Sequence, residues 1–147
     1  MCNRCKDGYF REYQGTSCVD ECPVGMYGNF AKKLCYPKPS VEYVLPENGV
    51  IINYGDFIDA SADYTVYNNE PRKTYSYGWK IIRIEGNIDI SEDVVKTYFE
   101  TDILKVHFDN NVLQPNYDYN ITFFVKGSDD YYKGMYAEQT NNIYIGI

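Results

Sequence analysis

An all-β chain, with a small disulfide-rich module leading into a Greek-key β-sandwich, is the fold this sequence predicts. Three observations carry it. All five cysteines lie between Cys2 and Cys35, in a stretch punctuated by glycine and aromatic residues. From about residue 41 the pattern changes to short alternating apolar segments separated by turn residues, the signature of a sandwich. No segment keeps a helical period, although Ser91-Glu92-Asp93 can cap a single turn.

The organisation follows. Residues 1–38 are too few to bury a self-sufficient apolar core, so covalent or metal staples are expected there. Pro37-Lys38-Pro39-Ser40 makes a stiff junction, because proline fixes its own φ and pushes its predecessor out of the helical region. Residues 41–147 are a normal size for a self-standing domain. Strands are expected over 41–45, 57–62, 74–84, 94–99, 104–108, 117–126 and 143–147. Alternation then points inward Ile58, Ala60 and Ala62; Tyr77, Trp79 and Ile81; Leu104, Val106 and Phe108; Tyr119, Ile121, Phe123 and Val125; and Ile143, Ile145 and Ile147. Trp79, the sole tryptophan, sits mid-strand as a central core ring. Leu113-x-Pro115-x-x-x-Tyr119 has the spacing of a tyrosine corner, in which the hydroxyl bonds back to upstream backbone.

The cysteines read Cys2-x-x-Cys5, Cys18-x-x-x-Cys22 and Cys35. Two chemistries compete for them. Disulfides need an oxidising compartment. A four-thiolate zinc site would take Cys2, Cys5, Cys18 and Cys22. Against zinc stand the idle Cys35, a Cys-Pro-x-Gly-x-Tyr turn unlike a zinc knuckle, and a glycosylation sequon downstream.

The stretch CxxCxxGYF…CVDECPVGMYGN…C, over about the first 36 residues, resembles the furin-like and growth-factor-receptor cysteine-rich repeats. That resemblance implies short sequential loops, Cys5–Cys18 and Cys22–Cys35, each worth about 3 kcal/mol in the chain-entropy model. Cys2 then remains unpaired or pairs with a preceding repeat; in the latter case the chain is expected to be a piece of a longer protein, with the head as a rigid spacer. An interleaved pairing, Cys2–Cys18 with Cys5–Cys22, would leave Cys35 over instead.

A second resemblance covers most of residues 41–147. Phe57-Ile58-Asp59-Ala60-Ser61-Ala62-Asp63, then Thr74-Tyr75-Ser76-Tyr77-Gly78-Trp79, then Val112-Leu113-Gln114-Pro115 through Phe123-Phe124-Val125, is similar to PKD-type and receptor-for-egg-jelly repeats. It implies an Ig-like sandwich, related to fibronectin-type modules, that serves large surface proteins as a spacer, adhesion or assembly module.

Composition bounds the function. An apolar share of 44% with 17% aromatic argues for a folded chain. The 17 tyrosines exceed what a core can hide, so many rings are expected at a surface. A net charge of −7 disfavours nucleic acid and anionic membrane as partners. No apolar run reaches the roughly 18 residues that would cross a bilayer, and Met1-Cys2-Asn3-Arg4-Cys5 lacks the apolar core of a secretory signal.

No catalytic constellation stands out. His107, the sole histidine, lies between Val106 and Phe108 and is expected to face solvent without a converging partner. No phosphate loop or metal-ligand motif occurs, and no cofactor is expected. Asp56, Asp59 and Asp63, and likewise Asp89, Glu92 and Asp93, fit no calcium-loop spacing and read as solvated acidic surface. Asn120-Ile121-Thr122 is the one N-x-S/T sequon, with Asn120 pointing outward as an N-glycan requires. The segment from Ser128 to Tyr136 reads as an aromatic hairpin tip, with Tyr131, Tyr132 and Tyr136 as a contact surface. The expectation is a non-enzymatic extracellular or cell-surface contact module whose partners are other protein chains. The alternatives are a fibre subunit, whose partners are copies of itself, and an intracellular zinc protein.

Overall fold

The computed structural model describes residues 5–12, 15–91, 105–109 (backbone alone) and 113–147. Among them the chain is all β: β1 (Phe10–Arg11), β2 (Cys18–Val19), β3 (Met26–Asn29), β4 (Leu34–Pro37), β5 (Ser40–Leu45), β6 (Val50–Asn53), β7 (Phe57–Thr65), a 3-10 turn (Arg72–Thr74), β8 (Tyr75–Arg83), β9 (Ile88–Asp89), β10 (Lys105–Asp109), β11 (Asp118–Gly127), β12 (Tyr132–Lys133) and β13 (Tyr136–Gly146). The strands form three sheets, in the orders β12-β3-β4-β1-β2, β10-β7-β5 and β6-β13-β11-β8-β9.

The chain folds into two compact units that do not follow chain order. Unit 1 gathers Met1–Ser40, Thr65–Tyr77 and Val125–Ala137; unit 2 holds Val41–Tyr64, Gly78–Phe124 and Glu138–Ile147. The cysteine-rich head thus shares a unit with the β7–β8 connection and with the tip of the β11–β13 hairpin.

In unit 1, two disulfides staple the head. Cys5 bonds to Cys18 and Cys22 to Cys35, each across 13 residues. These are the sequential loops, and they leave Cys5, Cys18 and Cys22 without the thiolates that a zinc site would need. Phe10 is buried, and Gly28 lies so close to its ring that a Cβ there would come within 2.6 Å of it. β12 extends this sheet, with Tyr132 opposite Asn29 and Lys133 opposite Gly28. The Lys133 ammonium donates to the Asp20 carbonyl at 2.7 Å.

In unit 2, the period-2 pattern places the core. Ile58, Ala60 and Ala62 of β7, Trp79 and Ile81 of β8, Tyr119, Ile121 and Phe123 of β11, and Ile143 and Ile145 of β13 are buried. Phe123 is the meeting point: Trp79 stands edge-on to it at 5.2 Å between ring centres, and Tyr64 of β7 packs at 6.0 Å. The chain changes sheets between β5 and β6, past the cis Leu45–Pro46 bond. Buried Asn141 of β13 donates to the carbonyls of Val44 and Pro46 at 2.7 and 2.9 Å, giving these main-chain acceptors a donor where the chain leaves one sheet for the other. β6 then runs parallel to β13, Val50 opposite Ile143. The Tyr119 hydroxyl accepts from the Gln114 N–H at 2.8 Å while Leu113 is buried beside it, with Pro115 half-buried in the turn.

Several expectations shift. β6 and β9 lie where no strand was expected, and β13 begins at Tyr136 rather than at 143. Its first half, Tyr136 to Asn142, is mostly polar, so the hairpin with β11 is set by main-chain bonding that no side-chain alternation announces. Ile147 is exposed, because the ladder between β13 and β6 ends at Gly146 and Asn53. Tyr77 is only half-buried. β10 pairs with β7, Val106 opposite Ala60 and Phe108 opposite Ile58. The strand expected over 94–99, together with Leu104, Glu92 and Asp93, lies outside the described residues.

Two outcomes follow for stability. Tyr119→Phe removes the bond from the Gln114 N–H and should lower unfolding free energy by about 0.5–1.5 kcal/mol in urea titrations. The pair Cys22→Ser with Cys35→Ser should cost about 3 kcal/mol, read as a lower midpoint in the non-reduced protein.

Candidate functional site

The strongest concentration of buried polar chemistry lies in unit 1 and was not expected from the sequence. Asn68 and Asn69 turn the β7–β8 connection through left-handed φ of 66° and 54°, a conformation that asparagine tolerates better than most residues. Glu70 and Pro71 follow, and the 3-10 turn starts at Arg72. Pro71 fixes the extended entry to that turn, with φ −62° and ψ 136°. This delivers the Glu70 side chain inward, where the residue is 8% exposed.

What meets it comes from distant parts of the chain. Asn29, at the end of β3, donates through Nδ2 to both carboxylate oxygens at 3.3 Å. The same amide is fixed from its other end, because its Oδ1 accepts from the Lys32 N–H at 2.9 Å. Thr74 Oγ1 and Tyr132 Oη are 2.6 Å apart, and Thr74 Oγ1 also donates to the Pro71 carbonyl at 2.6 Å. A hydroxyl has one proton to give, so Tyr132 is the donor in its bond to Thr74. The Tyr27 hydroxyl is buried with no hydrogen-bond partner. Its ring packs edge-on to Tyr132 at 5.4 Å and, with Met135, forms the core of the unit.

The electrostatics follow from burial. Loss of water, then the charge of nearby Glu70, raises the Tyr27 phenol well above its usual value. Burial first, and Glu70 second, push the Tyr132 phenol up to about 12. A cavity of about 330 Å³ opens beside this network, bounded by Asn29, Glu70, Thr74 and Tyr132 among the buried residues and by Lys32, Lys73 and Tyr131 among the exposed ones.

The sequence-predicted residues fall differently. Tyr132 is a correction: at 2% exposure it is a core ring rather than part of a contact surface. The reason is that the head has too little apolar surface of its own and draws this ring and Met135 inward. Tyr131 is 47% exposed and Tyr136 half-buried, so the aromatic tip divides between interior and surface. Asn120 is half-buried on β11, and Thr122 of the same sequon is buried with its hydroxyl 2.7 Å from that of Thr140. Asp56, Asp59 and Asp63 are exposed, and Asp63 accepts from the Tyr64 N–H. The Ser91 hydroxyl and N–H donate to Asp89 and hold its carboxyl below the usual range. No group of three or more His, Cys, Asp or Glu converges as metal ligands among the described residues. Of His107 only the backbone is described, opposite Asp59. Cys2 lies outside the described residues.

Glu70 escaped notice because its partner Asn29 is 41 residues away. The only local signal was the Asn-Asn turn before it.

Compared with protein-family models, with curated proteins and with solved structures, the chain matches none of them.

The raised phenols set a pH dependence. An unfolded tyrosine ionises near 10, whereas folded Tyr132 holds its proton to about 12. The folded state therefore binds the proton more tightly. The stability this contributes is complete below about pH 10 and is lost as pH rises toward 12. Denaturation midpoints should fall across that window, and Tyr132→Phe should make the fall shallower. An unchanged slope in the variant would contradict the assignment.

Proposed function

We propose that the chain is a non-enzymatic module of an extracellular or cell-surface protein, built to contact other protein chains, with an Ig-like sandwich in its second unit. Two disulfides support the compartment, since such bonds persist where the surroundings are oxidising. Among the described residues no helix is long and apolar enough to cross a membrane.

The observation that carries the contact reading is the edge strand β6. Among the described residues it ends the five-stranded sheet of unit 2, pairing with β13 on one side. Its sequence, Val-Ile-Ile-Asn, has none of the lysines or prolines with which proteins usually blunt a sheet edge. Ile51 on it is 68% exposed, and the segment that follows leaves Phe57 63% exposed as well. An extended segment of another chain can add to such an edge, with main-chain bonds giving affinity and alternate side chains giving selectivity. The same edge favours the second reading, a fibre in which the added strand comes from another copy. An N-glycan at Asn120 belongs to the extracellular reading.

Sedimentation across a wide concentration range separates the two. Growth of the particle with concentration, abolished by Ile51→Lys, is the expected mark of the fibre. A constant monomer sinks the fibre and leaves a different chain as the partner. Mass spectrometry of the native protein under denaturing, non-reducing conditions should find both bridges intact; free thiols with bound zinc would overturn the extracellular reading.

A further inference from the structure

The cavity beside Glu70 has a charge pattern that the fold itself leaves unsatisfied. A carboxylate accepts about four hydrogen bonds, and Asn29 supplies two long ones from a single neutral amide. Both phenols lie against this carboxylate, yet the Tyr132 proton goes to Thr74 and the Tyr27 hydroxyl has no partner in good hydrogen-bonding geometry. Lys32 and Lys73 line the same cavity, yet neither is ion-paired with Glu70 among the described residues. The Lys32 ammonium instead lies over the Tyr36 ring, 5.8 Å from its centre. A buried carboxylate without a counter-charge is costly, and that cost falls when a cation with its own hydrogen bonds arrives.

The geometry points to this cavity as a binding site for a small zwitterion: its primary ammonium docks on Glu70 and its anionic group lies toward Lys32 and Lys73. A cation alone would satisfy the carboxylate but meet two lysines of like charge. An anion alone would suit the lysines and be repelled by Glu70. A molecule carrying both charges close together meets each with its opposite, and the exposed Tyr131 ring offers an apolar wall for the remainder. A volume of about 330 Å³ admits a free α-amino acid or the phosphoethanolamine of a lipid headgroup, which share this chemistry. The inference rests on unit 1 alone and stands or falls separately from the contact reading of β6.

The test is a ligand series on the intact chain, followed by NMR at the Asn29 side-chain amide and the Thr74 N–H. Norvaline carries both charges, butylamine is the same skeleton without the carboxylate, and pentanoate the same without the ammonium. Norvaline should bind at least about tenfold more tightly than either, the gain of one additional charged contact. Glu70→Gln should bring norvaline down to the level of pentanoate. Lys32→Gln with Lys73→Gln should bring it down to butylamine. Phosphoethanolamine binding more tightly than norvaline would assign the site to a headgroup, and the reverse to a free amino acid. Norvaline binding no better than its singly charged analogues, or equally in wild type and Glu70→Gln, overturns the proposal. The series on wild type decides the matter even if Glu70→Gln fails to fold.

Discussion

A cysteine-rich segment of about forty residues cannot bury enough apolar surface to fold on that alone, and unit 1 is organised around this shortage. Its two bridges shorten the unfolded chain's freedom without adding a core. The core comes from elsewhere in the sequence: Tyr27 of the head is completed by Tyr132 and Met135, with Tyr36, Val66 and Tyr75 packed around them. Gly127 records how close this packing is, since a Cβ there would come within 2.7 Å of both Met135 and the Tyr132 ring. Covalent staples and borrowed rings are therefore complementary. The first limits the entropy lost on folding, and the second supplies the burial that gives the folded state a unique arrangement.

That solution carries an electrostatic consequence. Bringing the β7–β8 connection against the head buries Glu70 together with two phenols. Loss of water first, and the neighbouring carboxylate second, favour the protonated phenols, which is why both tyrosines titrate upward. Asn29 answers the charge directly through its amide, and it is held in place by its own turn. The result is a polar network that ties residues far apart in sequence, with part of its hydrogen-bonding capacity still facing a cavity. Buried polar groups left in that condition call for an explanation beyond folding.

Legibility in the sequence followed the range of the interaction. The inward rows of β7 and β11 were plain, because alternation at period 2 is a local signal and Ile58, Ala60, Ala62, Tyr119, Ile121 and Phe123 obey it. The bond from the Gln114 N–H to the Tyr119 hydroxyl spans five residues and was equally readable. β6 was missed because four residues between turns show too little pattern, and its parallel partner β13 lies over ninety residues on. The first half of β13 was missed because its side chains are polar while its backbone is paired. The pairing of Asn29 with Glu70 left no trace in either neighbourhood, since each residue alone reads as an ordinary turn or surface residue.

Tyrosine content was the observation that most shaped the expectation of a contact surface, and its meaning changes with the fold. Rings in excess of one core need not lie at a surface when a second, small unit must also find apolar material. Tyr27 and Tyr132 serve that end, and Tyr119 is spent on a corner. What stays exposed and apolar in unit 2 is aliphatic as much as aromatic, with Ile51 on an edge strand and Phe57 at the start of β7. An edge that lacks charged guards would be a standing aggregation hazard for a chain that works alone. Under the proposed contact reading a partner strand covers β6, which answers to the absence of a lysine or proline there, and the argument for function moves from the tyrosine tip to the sheet edge.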